Sequence, residues 1–89
     1  MNEVTDENEI TDVVRGFILS KYLPTERPEN LHNNTPLQSS GLLDSLAIVN
    51  LANFVEQRFQ ITLELRDTGV ERFDCVEQIA GLVQRKRES

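Results

Sequence analysis

Few side chains in this 89-residue chain are placed to do chemistry: one histidine, one cysteine, and Ser45, which follows Asp44 where a Ser- and Gly-containing loop turns into the run "SLAIVNLANFVEQRF". A serine nucleophile needs a base within hydrogen-bond reach, and His32 is the only imidazole on offer. It stands thirteen positions before Ser45 in a Pro-rich stretch, and no G-x-S-x-G turn surrounds the serine. A metal site needs clustered ligands at defined spacing, which a lone His, a lone Cys and scattered acids do not supply. A phosphate cradle needs a Gly-rich loop, whereas Gly16, Gly41, Gly69 and Gly81 stand apart. No catalytic residue and no metal ligand is assigned. Ser45 is then either a group acted upon or ordinary capping chemistry, since serine and aspartate both satisfy free amides at a helix start. Spacing alone leaves both readings open.

The elements that must position this serine follow from periodicity. Ile10, Val13, Val14, Phe17 and Ile18 repeat at helical spacing, Asp6 and Glu9 resemble a capping box, and Pro24 supplies a stop. The first helix is predicted over about residues 6 to 22. From Pro24 to Leu43 come three prolines, three asparagines, a serine pair and Gly41, which make a long loop. Such a loop is uncommon in a small domain unless it has a job or docks its own apolar residues, here Leu31, Leu37, Leu42 and Leu43.

Asp44 is the expected N-cap of a second helix running from Ser45 to about Gln60. At 100° per residue, Ile48, Leu51, Ala52, Phe54, Val55 and Phe59 share one arc, with Asn50, Asn53, Gln57 and Gln60 opposite. Leu46 falls on the polar side and Val49 at the border, so two aliphatic side chains are expected at the surface beside Ser45. Ile61, Leu63 and Leu65 alternate with polar residues, but there is no partner for a strand, so an extended connection with Ile61 and Leu63 against the core is expected. A short helical turn near Asp67 to Arg72 should follow. Asp74 and Glu77 resemble a capping pair for a last helix over about residues 75 to 86, with Val76, Ile79, Ala80 and Val83 as its apolar stripe. The fold class is all-α: a single domain over residues 1–89, a small bundle of three main helices plus one short helix, with the long loop between helices one and two.

So short a chain builds one small core, and an active site walled off by several loops is hard to assemble from it. The net charge of -6 argues against nucleic acid and favours basic partners. Arg85, Lys86 and Arg87 read as a solvated last turn that suits the helix dipole. With one cysteine no intrachain disulfide forms, and there is neither a signal-peptide pattern nor a membrane-length apolar run. A cytoplasmic monomer, without membrane attachment, is the expectation.

The stretch "TPLQSSGLLDSLAIVNLANFVEQRF" resembles the acyl and peptidyl carrier proteins, in which a 4'-phosphopantetheine arm is joined to the serine of an Asp-Ser-Leu motif, here Asp44-Ser45-Leu46. The closing stretch "ERFDCVEQIAGLVQRK", with Phe73 and Asp74 before the last helix, looks like the family's final segment. The resemblance implies that Ser45 carries the arm, which comes from coenzyme A, and that Asp44 helps hold the modifying enzyme's metal and coenzyme A. It also implies that residues after the serine, Leu46 and Val49 with Asn50 and Asn53 beside them, face partner enzymes. The implied partners are a phosphopantetheinyl transferase, adenylating, ligase or acyltransferase enzymes that load the arm, and tailoring or condensing enzymes that use it.

Carriers of fatty-acid synthesis usually have an acidic second helix, whereas residues 44 to 60 contain only Asp44 and Glu56, offset by Arg58. Ala47, Asn50 and Gln57 stand where acids would be expected. The chain therefore looks more like a carrier of amino acids or specialised acyl groups, as in nonribosomal peptide or polyketide pathways. Its start at Met1 and charged tail to Ser89 give the expectation of a freestanding protein. Two alternatives remain: an acyl carrier of fatty-acid or lipid synthesis, and an unmodified carrier-like helical adaptor. A small hydrolase using Ser45 and His32 would instead predict labelling by a serine-directed phosphonate.

Overall fold

A computed structural model describes residues 7–88, which form α1 (Glu7–Tyr22), α2 (Ser45–Phe59), the short α3 (Val70–Phe73) and α4 (Val76–Glu88). Two 3-10 turns, Pro28–Asn30 and Leu65–Thr68, punctuate the connections. The all-α class and the three-plus-one arrangement of helices agree with the periodicity. Asp6, and with it the expected capping box, lies outside the described residues.

One apolar core joins the helices. Ile10, Val14 and Ile18 of α1 are buried against Val76, Ile79, Ala80, Leu82 and Val83 of α4, and these two helices share the most extensive interface. Ile48, Leu51, Ala52, Val55 and Phe59 present α2 to the same core. Phe54, expected on that arc, is half-buried and stacks on Phe17 with ring centroids 4.0 Å apart. Ile61 and Leu63 pack partly against the core from an extended connection. The Leu63 N–H donates to the Glu56 carboxylate at 2.7 Å, which gives that connection a partner without a second strand.

The long loop is fixed at successive points. Arg15 Nε donates to the Leu31 carbonyl at 3.1 Å, and the Glu77 N–H donates to the Asn33 carbonyl at 2.9 Å. Leu31, Leu37 and Leu43 are buried as expected. Leu42 is not: it is 40% exposed. Gly41 takes a left-handed φ of 81°, and the turn it makes sends Leu43 inward and Leu42 outward.

Four further expectations need correction. Ala47 is buried, because it lies one turn before Leu51 on the core stripe; its lack of charge says nothing about a partner surface. The turn expected over Asp67 to Arg72 is divided into a 3-10 turn and α3, because the Asp67 side chain folds back to accept the Glu64 N–H at 2.8 Å. Asp74 does not pair with Glu77 as a cap; its carboxylate turns to the long loop, while Gln78 accepts the Asp74 N–H at 2.7 Å. Lys86, read as part of a solvated turn, reaches Asp67 at 2.9 Å, and α4 continues to Glu88.

Candidate functional site

The chemistry-bearing residues meet where the long loop enters α2. Asp44 has extended backbone (φ -85°, ψ -179°), and its Oδ1 accepts the Ala47 N–H at 2.9 Å. Its carbonyl accepts the Ile48 N–H at 3.0 Å, the first main-chain bond of the helix. Asp44 thus does the capping, and among the described residues the exposed hydroxyl of Ser45 is left without a hydrogen bond. The amides of this first turn and the positive end of the helix dipole create a local field that favours a phosphate ester at this position.

Leu46 is 69% exposed and Val49 54% exposed, so both stand out from α2 as its projection predicted. Asn53 is exposed and Asn50 half-buried. A shallow depression of about 350 Å³ lies beside the serine, lined by Tyr22, Gly41, Leu42, Leu43, Asp44, Leu46, Ala47 and Asn50. The Tyr22 hydroxyl is buried without a hydrogen-bond partner among the described residues. The exposed Ser45 hydroxyl has open space around it, and the residues present fit a phosphopantetheine group. Joined to a protein, that group supplies a terminal thiol on which an acyl group is held as a thioester.

His32 is exposed in the loop, where its N–H donates to the Thr35 hydroxyl at 2.9 Å. Among the described residues, no three or more His, Cys, Asp or Glu are grouped to hold a metal. No described helix is long and apolar enough to cross a membrane.

Two carboxylates have roles that the sequence did not reveal: Asp67, named there only as the start of a turn, and Asp74, expected there to cap the last helix. Asp67 is 1% exposed and bonded to Lys86 at 2.9 Å, with Arg72 at 3.6 Å. Its pKa is lowered chiefly by the hydrogen bond from the Glu64 amide, with Lys86 and Arg72 adding to that against the opposing effect of burial. Asp74 accepts the N–H groups of Gln38 and Ser39 at 2.7 and 2.9 Å and the Ser39 hydroxyl at 2.7 Å. Burial works to raise its pKa, but the bonds from Ser39, Gln38 and Leu37 together outweigh burial and hold it below the ordinary value. Periodicity carried no signal for either role, because the Lys86 and Arg72 partners of Asp67 and the Gln38 and Ser39 partners of Asp74 are brought up by the fold, and the local bond from the Glu64 amide to Asp67 leaves no mark in an apolar pattern.

Comparison with known proteins agrees with this geometry. The family model described as "Phosphopantetheine attachment site" matches residues 18–83, a span that includes Ser45. The chain is also similar to a protein of Serratia sp. described as "Probable acyl carrier protein PigG", with 29% identity over 70 residues, 79% of each chain. Carriers of this kind are not enzymes; they are modified by phosphopantetheinyl transferases and serve biosynthetic enzymes. With most of its length matched and a helical frame that exposes a serine at a helix start, the chain belongs to the family of carrier proteins that hold a covalent 4'-phosphopantetheine group.

Proposed function

We propose that Ser45 is the residue that carries the arm and that the cargo is an aminoacyl, peptidyl or specialised acyl group, in metabolism of the nonribosomal peptide or polyketide type. The observation that carries the first part is the exposed Ser45 hydroxyl at the start of α2, next to an aspartate that has already taken over the capping. Attachment forms one bond between Ser45 Oγ and phosphorus and breaks the pyrophosphate of coenzyme A. Adenosine 3',5'-bisphosphate leaves, and the serine proton is released. Asp44 keeps the serine in register through its bond to Ala47, and its outer carboxylate edge is available to the transferase's metal.

The cargo reading rests on a nearly neutral α2. With Ala47 in the core, it depends on Asn50 and Gln57 and on Glu56 being the helix's only acid. Partner enzymes that hold fatty-acid carriers by basic patches gain little from such a face. Leu46 and Val49, with Asn50 and Asn53, would meet the partners instead. The similarity to a protein described as an acyl carrier favours an acyl group over an amino acid within this reading.

Incubation with coenzyme A and a phosphopantetheinyl transferase should add the mass of one arm, and Ser45→Ala should abolish the addition. If the wild-type protein gains no mass with several transferases, Ser45 is not the attachment point. The modified protein offered to adenylating enzymes and acyltransferases in parallel should be loaded by one of these classes. Preferential loading by fatty-acid enzymes would overturn the cargo assignment.

A further inference from the structure

The loop that delivers Ser45 to the surface is held at its near end by one side chain outside the motif. Asp74, between α3 and α4, takes the Gln38 N–H, the Ser39 N–H and the Ser39 hydroxyl on its carboxylate, and its carbonyl accepts the Leu37 N–H. Gln38 replies with its side-chain amide, which donates to the carbonyls of Thr68 at 2.9 Å and Phe73 at 3.1 Å. The clamp then passes to the serine through the main chain. The Leu43 N–H donates to the Leu37 carbonyl at 2.9 Å, closing a ring of loop whose last member adjoins Asp44. Within it the Gly41 N–H bonds the Gln38 carbonyl at 3.1 Å, and Ser40 bonds the Pro36 carbonyl through its hydroxyl and the Leu42 N–H through its oxygen.

We infer that Asp74 is a positioning residue for arm transfer: by clamping residues 37 to 39 it fixes the loop 37–43, and through it the entry of the chain into α2, in the form that a transferase binds. The inference rests on Ser45 being the attachment residue. Asp74 makes no hydrogen bond to Ser45; its partners are Leu37, Gln38, Ser39 and Gln78. It acts only by keeping the loop ordered before the enzyme arrives.

A loop that is ordered only part of the time raises the apparent KM for the carrier in inverse proportion to its ordered fraction, while the rate once bound stays close to that of the intact protein. Asp74→Ala removes all three bonds to the carboxylate, and a loop ordered about a tenth of the time would raise KM roughly tenfold. Asp74→Asn keeps an oxygen for the two amides and should give an intermediate rise. Val83→Ala, buried in α4 nine positions further along, serves as the control for a general loss of stability.

The test measures steady-state arm transfer to the apo forms of wild type, Asp74→Ala, Asp74→Asn and Val83→Ala, with thermal unfolding of each and amide hydrogen exchange by NMR. Expected are a raised KM with nearly unchanged kcat for the Asp74 variants in the order Ala above Asn, faster exchange at Ser39, Gly41 and Leu43, and an unchanged KM for Val83→Ala at a comparable thermal midpoint. A wild-type KM in Asp74→Ala, or an equal rise in Val83→Ala, would overturn the inference while Ser45 stands as the attachment residue. Absence of modification in the wild type would remove the Ser45 assignment and this inference together.

Discussion

At the start of α2 the capping falls to Asp44 and leaves the Ser45 hydroxyl exposed. The aspartate satisfies the Ala47 amide, so the serine need not turn its hydroxyl back into the helix. One residue later, Leu46 projects into solvent, where it contributes nothing to the core. Leu46→Ser should therefore leave stability within about 0.5 kcal/mol of wild type, as surface changes usually do. If Leu46 meets partner enzymes, the same change should raise the KM for loading the modified carrier, by about tenfold where the leucine fills an apolar contact worth about 1.4 kcal/mol. Urea unfolding and loading kinetics on one preparation separate the two effects.

At the scale of elements, α2 ends as distinctively as it begins. Gln60 closes it in the left-handed region (φ 59°, ψ 50°), with its N–H and that of Ile61 directed to the Glu56 carbonyl. A side chain in this conformation carries a steric cost that glycine avoids, which is why glycine is common just past helix ends. Gln60→Gly should stabilise the protein by about 0.5 to 1 kcal/mol, after allowance for glycine's greater freedom in the unfolded chain. A higher urea midpoint with unchanged slope would show it. The same helix end holds Glu56, whose carboxylate accepts the Leu63 N–H and sets the path of the chain toward the 3-10 turn. That path brings Asp67 beneath α4.

For the whole molecule, Asp67 is the charge that joins the 3-10 turn to the end of α4. Its folded pKa lies below the ordinary 3.8, so in the acid range the unfolded chain binds the proton more readily than the folded one. Its contribution is therefore fully present above the unfolded value and is lost as pH falls through the folded one. Asp74, lowered in the same direction, adds to this acid dependence. Asp67→Asn should cost about 2 kcal/mol near pH 7, below the range for breaking a fully buried pair because Lys86 retains some solvent contact. The gap to wild type should narrow below about pH 4. Urea unfolding at steps from pH 7 to pH 2 measures both; a gap independent of pH would assign the loss to packing rather than to charge.

The sequence by itself determined the helices, their apolar stripes, the cap at Asp44 and the outward placement of Leu46 and Val49, because each depends on residues within a turn or two of one another. It also determined the family resemblance, whose Asp-Ser-Leu motif is local. Ala47, one turn before Leu51, was legible as a position on the core stripe, whereas Leu42 was misplaced because the left-handed turn at Gly41, which decides which of the two leucines faces inward, leaves no mark in the apolar pattern. Only the tertiary structure decided where Asp67 and Asp74 send their carboxylates, since Lys86 lies nineteen positions beyond Asp67, and Ser39 thirty-five before Asp74. A short polar side chain bonds whichever donor the packed helices bring to it, and periodicity holds no information about partners that far away in the chain.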